Sequence, residues 1–430
     1  MKILHVSTYD GGGAAKSCIR LHLALLQHGI ESHILFLLQK DKSIPHTSEY
    51  KIKPKPLTTF NKIINKGKII LKELKLYNEP VEINYLKNQQ NGFYPFTFPY
   101  SDFDITDTEV YKNCDIINLH WVANLFDYSF FKKNKKPVVW TMHDMNPFTG
   151  GCHHSLDCKK YEVNCDVCPQ LAGTTNPSYS AEILKIKQES LANFEKLTIV
   201  TPSHWLRKCS SNSTLFRKMQ HFTFPYSIDA DTFNIRNKAY SRSILGIAEH
   251  KKVCLFVAQN IDMKLKGIEY LIEAVQNLIN SNPNLLIVAV GGTISKSPLF
   301  IGSSDAFKNS VLELGTVYDE KLMSIIYSAA DVFAFPSLAE NLPNVIIESL
   351  FCGTPILAYN VGGIPELIAH QENGYLCNEI NVESLQNAIH TFFNSNDLLP
   401  AERIREMAVE KYSTKVQLNN YLTLYSKLLS

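Results

Sequence analysis

Short apolar runs alternate with longer polar or amphipathic stretches along most of the chain. The first series of runs occupies residues 3–6, 34–38, 116–121, 137–142 and 197–200. After Phe233 the rhythm restarts, with runs at 253–258, 285–290, 311–314, 332–335 and 356–359. Strands separated by helical segments are typical of parallel sheets with crossover helices. The pattern therefore predicts an α/β protein with two doubly wound, Rossmann-like domains.

The two series of strands are separated by residues 229–237, which lack an apolar run and form the candidate linker. We divide the chain into a first domain at 1–230, a second at 231–405 and a C-terminal helix at 406–430 that can return to the first domain. Ligands of open α/β sheets bind beyond the carboxyl ends of the strands. The cleft between the two domains is therefore the expected active site.

Composition narrows the classes of protein without naming one. The 430 residues include 43 Lys and Arg against 41 Asp and Glu, a net charge of +2 that gives no reason to expect a nucleic-acid partner. A hydrophobic fraction of 45% is ordinary for globular domains. Neither an 18-residue apolar run nor a signal peptide is evident, so we expect a cytoplasmic protein.

The most informative motif follows the run at 332–335, where Glu340 precedes a predicted helix and Glu348 lies in its second turn. Asn341 is the expected N-cap, and Pro343 suits the first turn. A helix N-terminus aimed at the cleft can bind a diphosphate, and carboxylates accept hydrogen bonds from vicinal hydroxyls. Glu348 could then hold a ribose and Glu340 a hexose. The alternative is that both glutamates are simply solvated near a helix end.

A glycine loop, Gly11–Gly13, stands between the first run and an amphipathic stretch. Without side chains the backbone can approach a ligand closely. Lys16 and Arg20 follow on the predicted helix and could assist with an anionic acceptor. Single bases of this kind more often face solvent.

Together these motifs resemble the retaining glycosyltransferases of family 4, which have the GT-B fold. The resemblance rests on Glu340 and Glu348 with seven residues between them, the Gly11–Gly13 loop, Lys266–Gly267 and the Gly-Gly-x-Pro-Glu sequence within residues 361–366. It spans nearly the whole chain and is clearest over residues 253–377.

The resemblance implies a hexosyltransferase that moves a sugar from a nucleotide diphosphate sugar to a saccharide acceptor. Residues 1–230 would bind the acceptor and 231–405 the donor, with no divalent metal or other cofactor needed for catalysis. The implied catalytic residues are His143, Glu340 and Lys266. The implied donor-binding residues are Gly12, Gly13, Lys264, Val317, Asn341, Leu342, Pro343 and Glu348. The Lys266 role also has a direct reason, since a cation in a dry cleft stabilises the charge of a departing diphosphate.

The chain departs from the family pattern at one position. An Arg usually precedes the Lys-Gly pair by several residues, and the equivalent residue here is Gln259. Lys264 could supply the charge instead, although Lys does not reproduce the bidentate geometry of Arg.

A cysteine-rich insertion at 150–170 contains Cys152, Cys158, Cys165 and Cys168. Four thiols within a short cytosolic loop are typical of a tetrahedral structural zinc site. Only the last pair has the common C-x-x-C spacing, so free or redox-active thiols are the alternative. His153 and His154 could replace one of the sulfur ligands.

Residues 51–76 are strongly basic, with interleaved apolar positions. Such a segment can lie on an anionic bilayer, which fits a lipid-linked acceptor in surface polysaccharide synthesis at the inner face of the cell membrane. It can equally be a solvated helix packed on its own domain. A nucleotide-sugar epimerase of related fold and a catalytically weakened nucleotide-sugar-binding scaffold are the alternative functions.

Overall fold

The first half of the chain forms one parallel sheet. The structure, a computed structural model, describes residues 1–51, 95–172, 174, 176–259, 263–395 and 397–430. The strands of this sheet are β1 (Lys2–Tyr9), β2 (Glu31–Leu38), β3 (Thr47–Glu49), β4 (Ile116–Leu119), β5 (Val138–Thr141), β6 (Leu197–Thr201) and β7 (Gln220–Thr223). They lie in the order β3-β2-β1-β4-β5-β6-β7 and every pairing is parallel. Leu4 of β1 pairs with His33 on one side and Ile117 on the other.

Helices on both faces bury this sheet. In the described residues they are α1 (Gly13–Gln27), α2 (Glu109–Asn113), α3 (Phe130–Lys133), α4 (Tyr179–Leu191) and α5 (His204–Asn212). All four residues of β4 and all four of β5 are buried. A strand that is buried on both faces has apolar residues at consecutive positions, so β4 and β5 could be predicted from the sequence.

The second half of the chain repeats this architecture with a parallel sheet of order β10-β9-β8-β11-β12-β13. Its strands are β8 (Lys252–Ala258), β9 (Leu285–Gly291), β10 (Val311–Gly315), β11 (Val332–Phe335), β12 (Ile356–Tyr359) and β13 (Gly374–Cys377). Its helices are α6 (Lys238–Ile244), α7 (Ile268–Ile279), α8 (Pro298–Ile301), α9 (Asp305–Lys308), α10 (Glu320–Ala329), α11 (Asn344–Phe351), α12 (Val382–Asn394) and α13 (Ala401–Tyr412). The predicted α/β class with two doubly wound sheets is confirmed.

A final helix, α14 (Thr414–Leu429), crosses to the first sheet. Tyr421 and Tyr425 are buried in one cluster with Ile3, Leu21 and Val139. The Tyr425 hydroxyl accepts a hydrogen bond from the Asn118 amide at 2.7 Å. The last segment of the chain therefore helps to hold the two halves together.

The ten predicted strands all fall on observed strands, and three observed strands were not predicted. These are β3, β7 and β13, and each lies at an edge of its sheet. An edge strand has one partner and needs fewer apolar residues, so its hydrophobic signal is weak. The short Thr47–Glu49 and the half-exposed Gln220–Thr223 illustrate this.

Within the described ranges, every helix is too short or too polar to cross a bilayer. The basic segment predicted at 51–76 lies, apart from Lys51, outside the described residues.

Candidate active site

The loop between β11 and α11 carries Glu340, and α11 carries Glu348, to the face where the two domains meet. Helix α11 begins at Asn344 with Pro343 as its N-cap residue, so the predicted capping role of Asn341 is wrong. A capping side chain must stand directly before the first helical residue, and Asn341 comes three residues earlier. Its amide instead joins the domains. It accepts from the Ser203 hydroxyl at 2.6 Å and donates to the His143 carbonyl at 3.2 Å.

Lys266 and Glu340 form an ion pair beside this loop. The Lys266 ammonium lies 2.5 Å from a Glu340 carboxylate oxygen, which also accepts from the Ser337 hydroxyl at 3.2 Å. Lys266 ends a short 3₁₀ turn, Lys264–Lys266, and Gly267 follows with a φ of +66°. A Cβ at Gly267 would lie 1.9 Å from the Pro336 carbonyl oxygen, so only glycine lets this turn approach the loop.

A second glycine turn, Gly362–Gly363, supports the same loop from the other side. A Cβ at Gly362, whose φ is +59°, would lie 1.8 Å from the Glu340 carbonyl oxygen. One at Gly363 would lie 2.0 Å from that of Asn341. Nearby, the Glu366 carboxylate accepts from two backbone N–H groups at the start of α5, at 2.7 and 2.8 Å. The Gly-Gly-x-Pro-Glu motif thus both shapes the loop and contacts the first domain.

Glu348 is buried in α11 and paired with a base from the first domain. One carboxylate oxygen lies 3.0 Å from the Arg20 guanidinium, and the other accepts from the Tyr327 hydroxyl at 3.2 Å. Arg20 also contacts Glu320 at 2.8 Å, and these two carboxylates raise its pKa against the opposing effect of burial. Among the described residues, its second terminal nitrogen has no hydrogen-bond partner. Arg20 is thus an interdomain residue and does not face solvent.

The N-termini of α1 and α11 meet across the cleft. The Asn344 amide, at the start of α11, donates to the Gly13 carbonyl and to the Ser17 hydroxyl, both at 3.0 Å. Gly12 precedes α1 with a φ of +88° and has open space where a Cβ would stand. Two helix ends with free N–H groups and positive dipole ends therefore converge at one place, which favours an anion.

His143 follows β5 and lies at the end of a hydrogen-bonded chain of imidazoles. Its Nδ1 is 2.7 Å from the Tyr226 hydroxyl and its Nε2 is 3.1 Å from His120 Nδ1. The chain continues from His120 to His5 at 3.0 Å. Burial lowers the pKa of His143 to about 4, so the ring is neutral near pH 7. Both ring nitrogens are used inside the protein, and the backbone carbonyl is the part that contacts Asn341.

The loop after β5 adds residues that sequence reasoning assigned no role in the cleft. Asp144 accepts from Trp121 at 2.8 Å and lies 2.6 Å from His153 Nδ1. Burial raises the pKa of Asp144, but the neighbouring His153 helps to outweigh this effect, and the pKa is lowered to about 2. His154 lies close enough to Glu340 and Lys266 to interact with them electrostatically. Only the folded topology could reveal this, because the histidine is far from both in sequence.

The remaining predicted donor residues, Lys264, Leu342 and Val317, differ in exposure. Lys264 is exposed whereas Lys266 is partly buried, and Gln259 is exposed at the end of β8. Leu342 is buried in the core of the second domain, so only its backbone could reach a ligand. Val317 is half-buried in the segment after β10 and packs on the same core.

The sequence of this chain is similar to those of known glycosyltransferases. Residues 237–411 match the family model for glycosyl transferases group 1. An uncharacterized glycosyltransferase of Methanocaldococcus jannaschii is 28% identical over 202 residues, which cover 46% of this chain and 51% of that protein. The chain thus spans about half the length of this curated relative. These matches support the predicted resemblance to glycosyltransferases.

Solved structures match nearly the full length of the chain, and two of them illustrate this. Anabaena HepE in complex with UDP and glucose has a TM-score of 0.63 at 15% identity, covering 99% of each chain. WaaG, a glycosyltransferase involved in lipopolysaccharide biosynthesis, has a TM-score of 0.61 at 14% identity and covers 97% of this chain and 98% of its own. At such identities the likeness concerns the fold, which is GT-B: two Rossmann-like domains facing each other across a cleft.

Proposed function

We propose that this chain is a glycosyltransferase that moves a hexosyl group from a nucleotide diphosphate sugar to a saccharide hydroxyl, with retention at the anomeric carbon. One observation carries the proposal. The N-termini of α1 and α11 converge within the same cleft as the Lys266–Glu340 pair and the buried Glu348. The cleft therefore combines a site for an anion, a cation, and two carboxylates that can accept hydrogen bonds from hydroxyl groups.

The diphosphate of the donor would lie between the two helix N-termini. Their free N–H groups can donate to phosphate oxygens, and Lys266 can neutralise the charge that builds up as the sugar leaves. The ion pair with Glu340 holds the ammonium in place before a donor arrives. A preorganised cation needs little rearrangement at the moment of reaction, which makes it an effective catalyst.

The sugar and ribose would bind to the two glutamates. Glu340 approaches the transferred sugar, and Glu348 accepts from the ribose hydroxyls. Each Glu348 oxygen already has one donor, Arg20 or Tyr327, which fixes its orientation and leaves further lone pairs for the ribose. Val317 would offer its backbone to the nucleobase, so side chains do not select the base.

The acceptor would enter from the first domain, opposite Glu340. Transfer on one face of the sugar lets the leaving phosphate take the proton of the attacking hydroxyl, so no side-chain base is required. His143 is neutral and held by both ring nitrogens, which suits a shaping role in the wall of the sugar site. His154, which interacts electrostatically with Glu340 and Lys266, is a second imidazole that could contact a sugar hydroxyl.

A lipid-linked saccharide in surface polysaccharide synthesis is the proposed acceptor, at the inner face of the membrane. Support comes from the basic sequence at 51–76 and from the fold shared with WaaG, which acts in lipopolysaccharide biosynthesis. The test is binding to vesicles containing anionic lipid. Charge reversal of Lys62, Lys66 and Lys68 should abolish binding, while reversal of the exposed Lys185 should not. Equal binding by both variants would refute the membrane proposal.

Product analysis tests the transferase activity itself. The chain is incubated with UDP-, GDP-, ADP- and TDP-sugars, with and without saccharide acceptors. We expect one donor to release its nucleoside diphosphate in an acceptor-dependent manner, and the product to keep the anomeric configuration of the donor. An altered nucleotide sugar formed without acceptor would indicate an epimerase. Binding of a donor with no turnover on any acceptor would indicate a scaffold.

A further inference from the structure

Four cysteines from the loop after β5 converge on one small cavity. Cys152, Cys158, Cys165 and Cys168 all line it, together with Tyr161. Its volume is about 20 Å³, and about 10–15 Å³ suffices for one water molecule. The four cysteines are spread over residues 152–168, yet the fold places all of them around a cavity large enough for one small ion or molecule.

Hydrogen bonds fix the backbone around the cavity, and one of them reaches a sulfur atom. The Gly150 N–H donates to the Cys165 sulfur at 3.2 Å. The Leu171 N–H donates to the Cys168 backbone carbonyl at 3.0 Å, and the Ser180 hydroxyl donates to the Cys165 backbone carbonyl. A neutral thiol is a weak acceptor, whereas a thiolate accepts strongly. The Gly150 N–H aimed at the Cys165 sulfur is therefore the kind of donor that a metal-bound thiolate requires.

The C-x-x-C turn is held in a backbone conformation that its residues disfavour. Cys165 has a φ of +56° and Val167 a φ of +46°. A positive φ is unusual for any side chain and strained for a β-branched one. Such strain persists only where the surroundings enforce it. The surrounding structure therefore imposes a conformation that the residues of this turn would not adopt by themselves.

Neighbouring groups favour four sulfur ligands over a mixed set. His153 uses one ring nitrogen on Asp144 and the other on Thr97, at 2.6 and 2.8 Å, so it has none left for a metal. Lys187 is buried beneath the loop and donates to the Asn146 and Thr149 carbonyls at 2.6 and 2.9 Å. It also interacts electrostatically with two of the thiols, Cys152 and Cys165. Burial lowers the pKa of Lys187 to about 7, and anionic sulfur atoms nearby would favour its charged form.

We propose that Cys152, Cys158, Cys165 and Cys168 bind one Zn²⁺ and that this ion holds the loop after β5 in its folded form. Four S–H bonds are exchanged for four S–Zn bonds, and four protons pass to solvent. The resulting centre has a net charge of −2, which the Gly150 N–H and a protonated Lys187 would offset. The metal is structural and does not depend on the proposed transferase activity.

A tighter set of ligand atoms exists elsewhere but suits a metal less well. Among the described residues, only His5, Cys18 and His120 have ligand atoms that all lie within 4.8 Å of one another. Its two imidazoles are hydrogen-bonded to each other and onward to His143, so that metal binding would break the chain at the cleft. The four sulfurs of the loop are spaced more widely and would move inward around the ion.

The zinc-bound loop would connect the first domain to the cleft. Cys152 is followed directly by His153, which is bonded to Asp144, and then by His154, near Glu340 and Lys266. The Gln170 amide donates to the His154 carbonyl at 2.7 Å, two residues beyond Cys168. The zinc site would therefore fix the position of His154 without touching the substrate.

The test uses the full chain, purified without added zinc or chelator. Elemental analysis should find about one zinc per chain, and a mercurial reagent should release it as the thiols react. Cobalt substitution should produce the visible absorption of tetrahedral thiolate coordination. Absence of zinc, with the four thiols all reactive or paired in two disulfides by mass spectrometry, would overturn the proposal.

Matched variants locate the site. Cys168→Ser should lose the zinc, and trypsin should then cleave at Lys159 and Lys160 several-fold faster. Cys114→Ser is the control, because that buried thiol donates to the Tyr111 carbonyl at 3.1 Å and a hydroxyl can do the same. It should retain its zinc. Retention by both variants would place the metal elsewhere. If Cys168→Ser does not fold, the analysis of the unmodified chain still decides the question.

Discussion

The two walls of the cleft are built in different ways. The wall from the second domain takes Glu340 and Glu348 from one continuous strand–loop–helix unit, and Lys266 joins them through a glycine turn. The wall from the first domain is assembled from loops that follow β1, β4, β5 and β6. Its members, among them Gly13, His143 and Ser203, are far apart in sequence.

This difference decides which residues a sequence can reveal. A helix N-terminus with two carboxylates at fixed spacing is a local pattern, so the second wall could be identified from its motif. Residues such as His154 acquire meaning only when the parallel sheet brings its loops together. Single substitutions in the second wall should therefore change the activity directly. In the first wall, the activity should depend on whether the loops keep their folded conformation.

The largest effect should follow from removing the cation of the second wall. Lys266→Ala should lower kcat by about 100- to 1,000-fold, because the charge of the departing diphosphate loses its preorganised partner. Initial rates of nucleoside diphosphate release at saturating substrate measure this. Lys264→Ala should cost less, since Lys264 is exposed, and Lys185→Ala should cost nothing. Wild-type rates in both Lys264→Ala and Lys266→Ala would refute the diphosphate role.

A smaller effect on donor affinity should follow from neutralising the buried carboxylate. Glu348→Gln should raise the KM for donor about 10- to 100-fold, because hydrogen bonds to a charged group contribute about 1.5–3 kcal/mol. Glu320→Gln is the matched control, as Glu320 shares the Arg20 contact without facing the ribose. An equal rise in both variants would assign the effect to Arg20 and contradict direct ribose binding by Glu348.

The glycine turn behind the second wall offers a test of shape alone. Gly362→Ala should reduce both the rate and the melting temperature, because its Cβ would collide with the Glu340 carbonyl oxygen. An added strain of about 1–3 kcal/mol is typical of a side chain forced into such a conformation. Gly302→Ala should be tolerated, since its Cβ would lie 3.5 Å from the nearest atom. Similar behaviour of both variants would show that the close approach is unimportant.

The first domain should respond to pH through its buried histidines, which include His143 of the first wall and His22 of α1. Burial lowers the pKa of His143 and of His22 to about 4, below the value of 6.5 for a free imidazole. Between these values the unfolded chain binds more protons, so stability falls as pH decreases from about 6.5 to 4. Calorimetry should find a melting temperature several degrees lower at pH 5 than at pH 7. An unchanged value would contradict neutral, buried imidazoles.

Much of the fold was predictable because buried parallel strands carry continuous apolar runs. The edge strands β3 and β7 escaped prediction because one partner and partial exposure allow polar residues, whereas exposure does not explain β13, three of whose four residues are buried. At the site, Lys266, Glu340 and Glu348 could be singled out from their motif; Lys266 and Glu340 form an ion pair, and Glu348 contacts Arg20 of the first domain. The predicted capping role of Asn341 was wrong. Helix α11 begins directly after Pro343, and the Asn341 side chain accepts a hydrogen bond from Ser203, a contact that exists only between the folded domains.

The central claim is that the cleft binds a nucleoside diphosphate between two helix N-termini. Titration calorimetry with UDP, GDP, ADP and TDP tests it most directly. We predict binding of at least one of them at one molecule per chain, weakened about tenfold or more in Glu348→Gln and in Lys266→Ala. Absence of binding by all four nucleotides, or equal affinity in both variants and the unmodified chain, would contradict it.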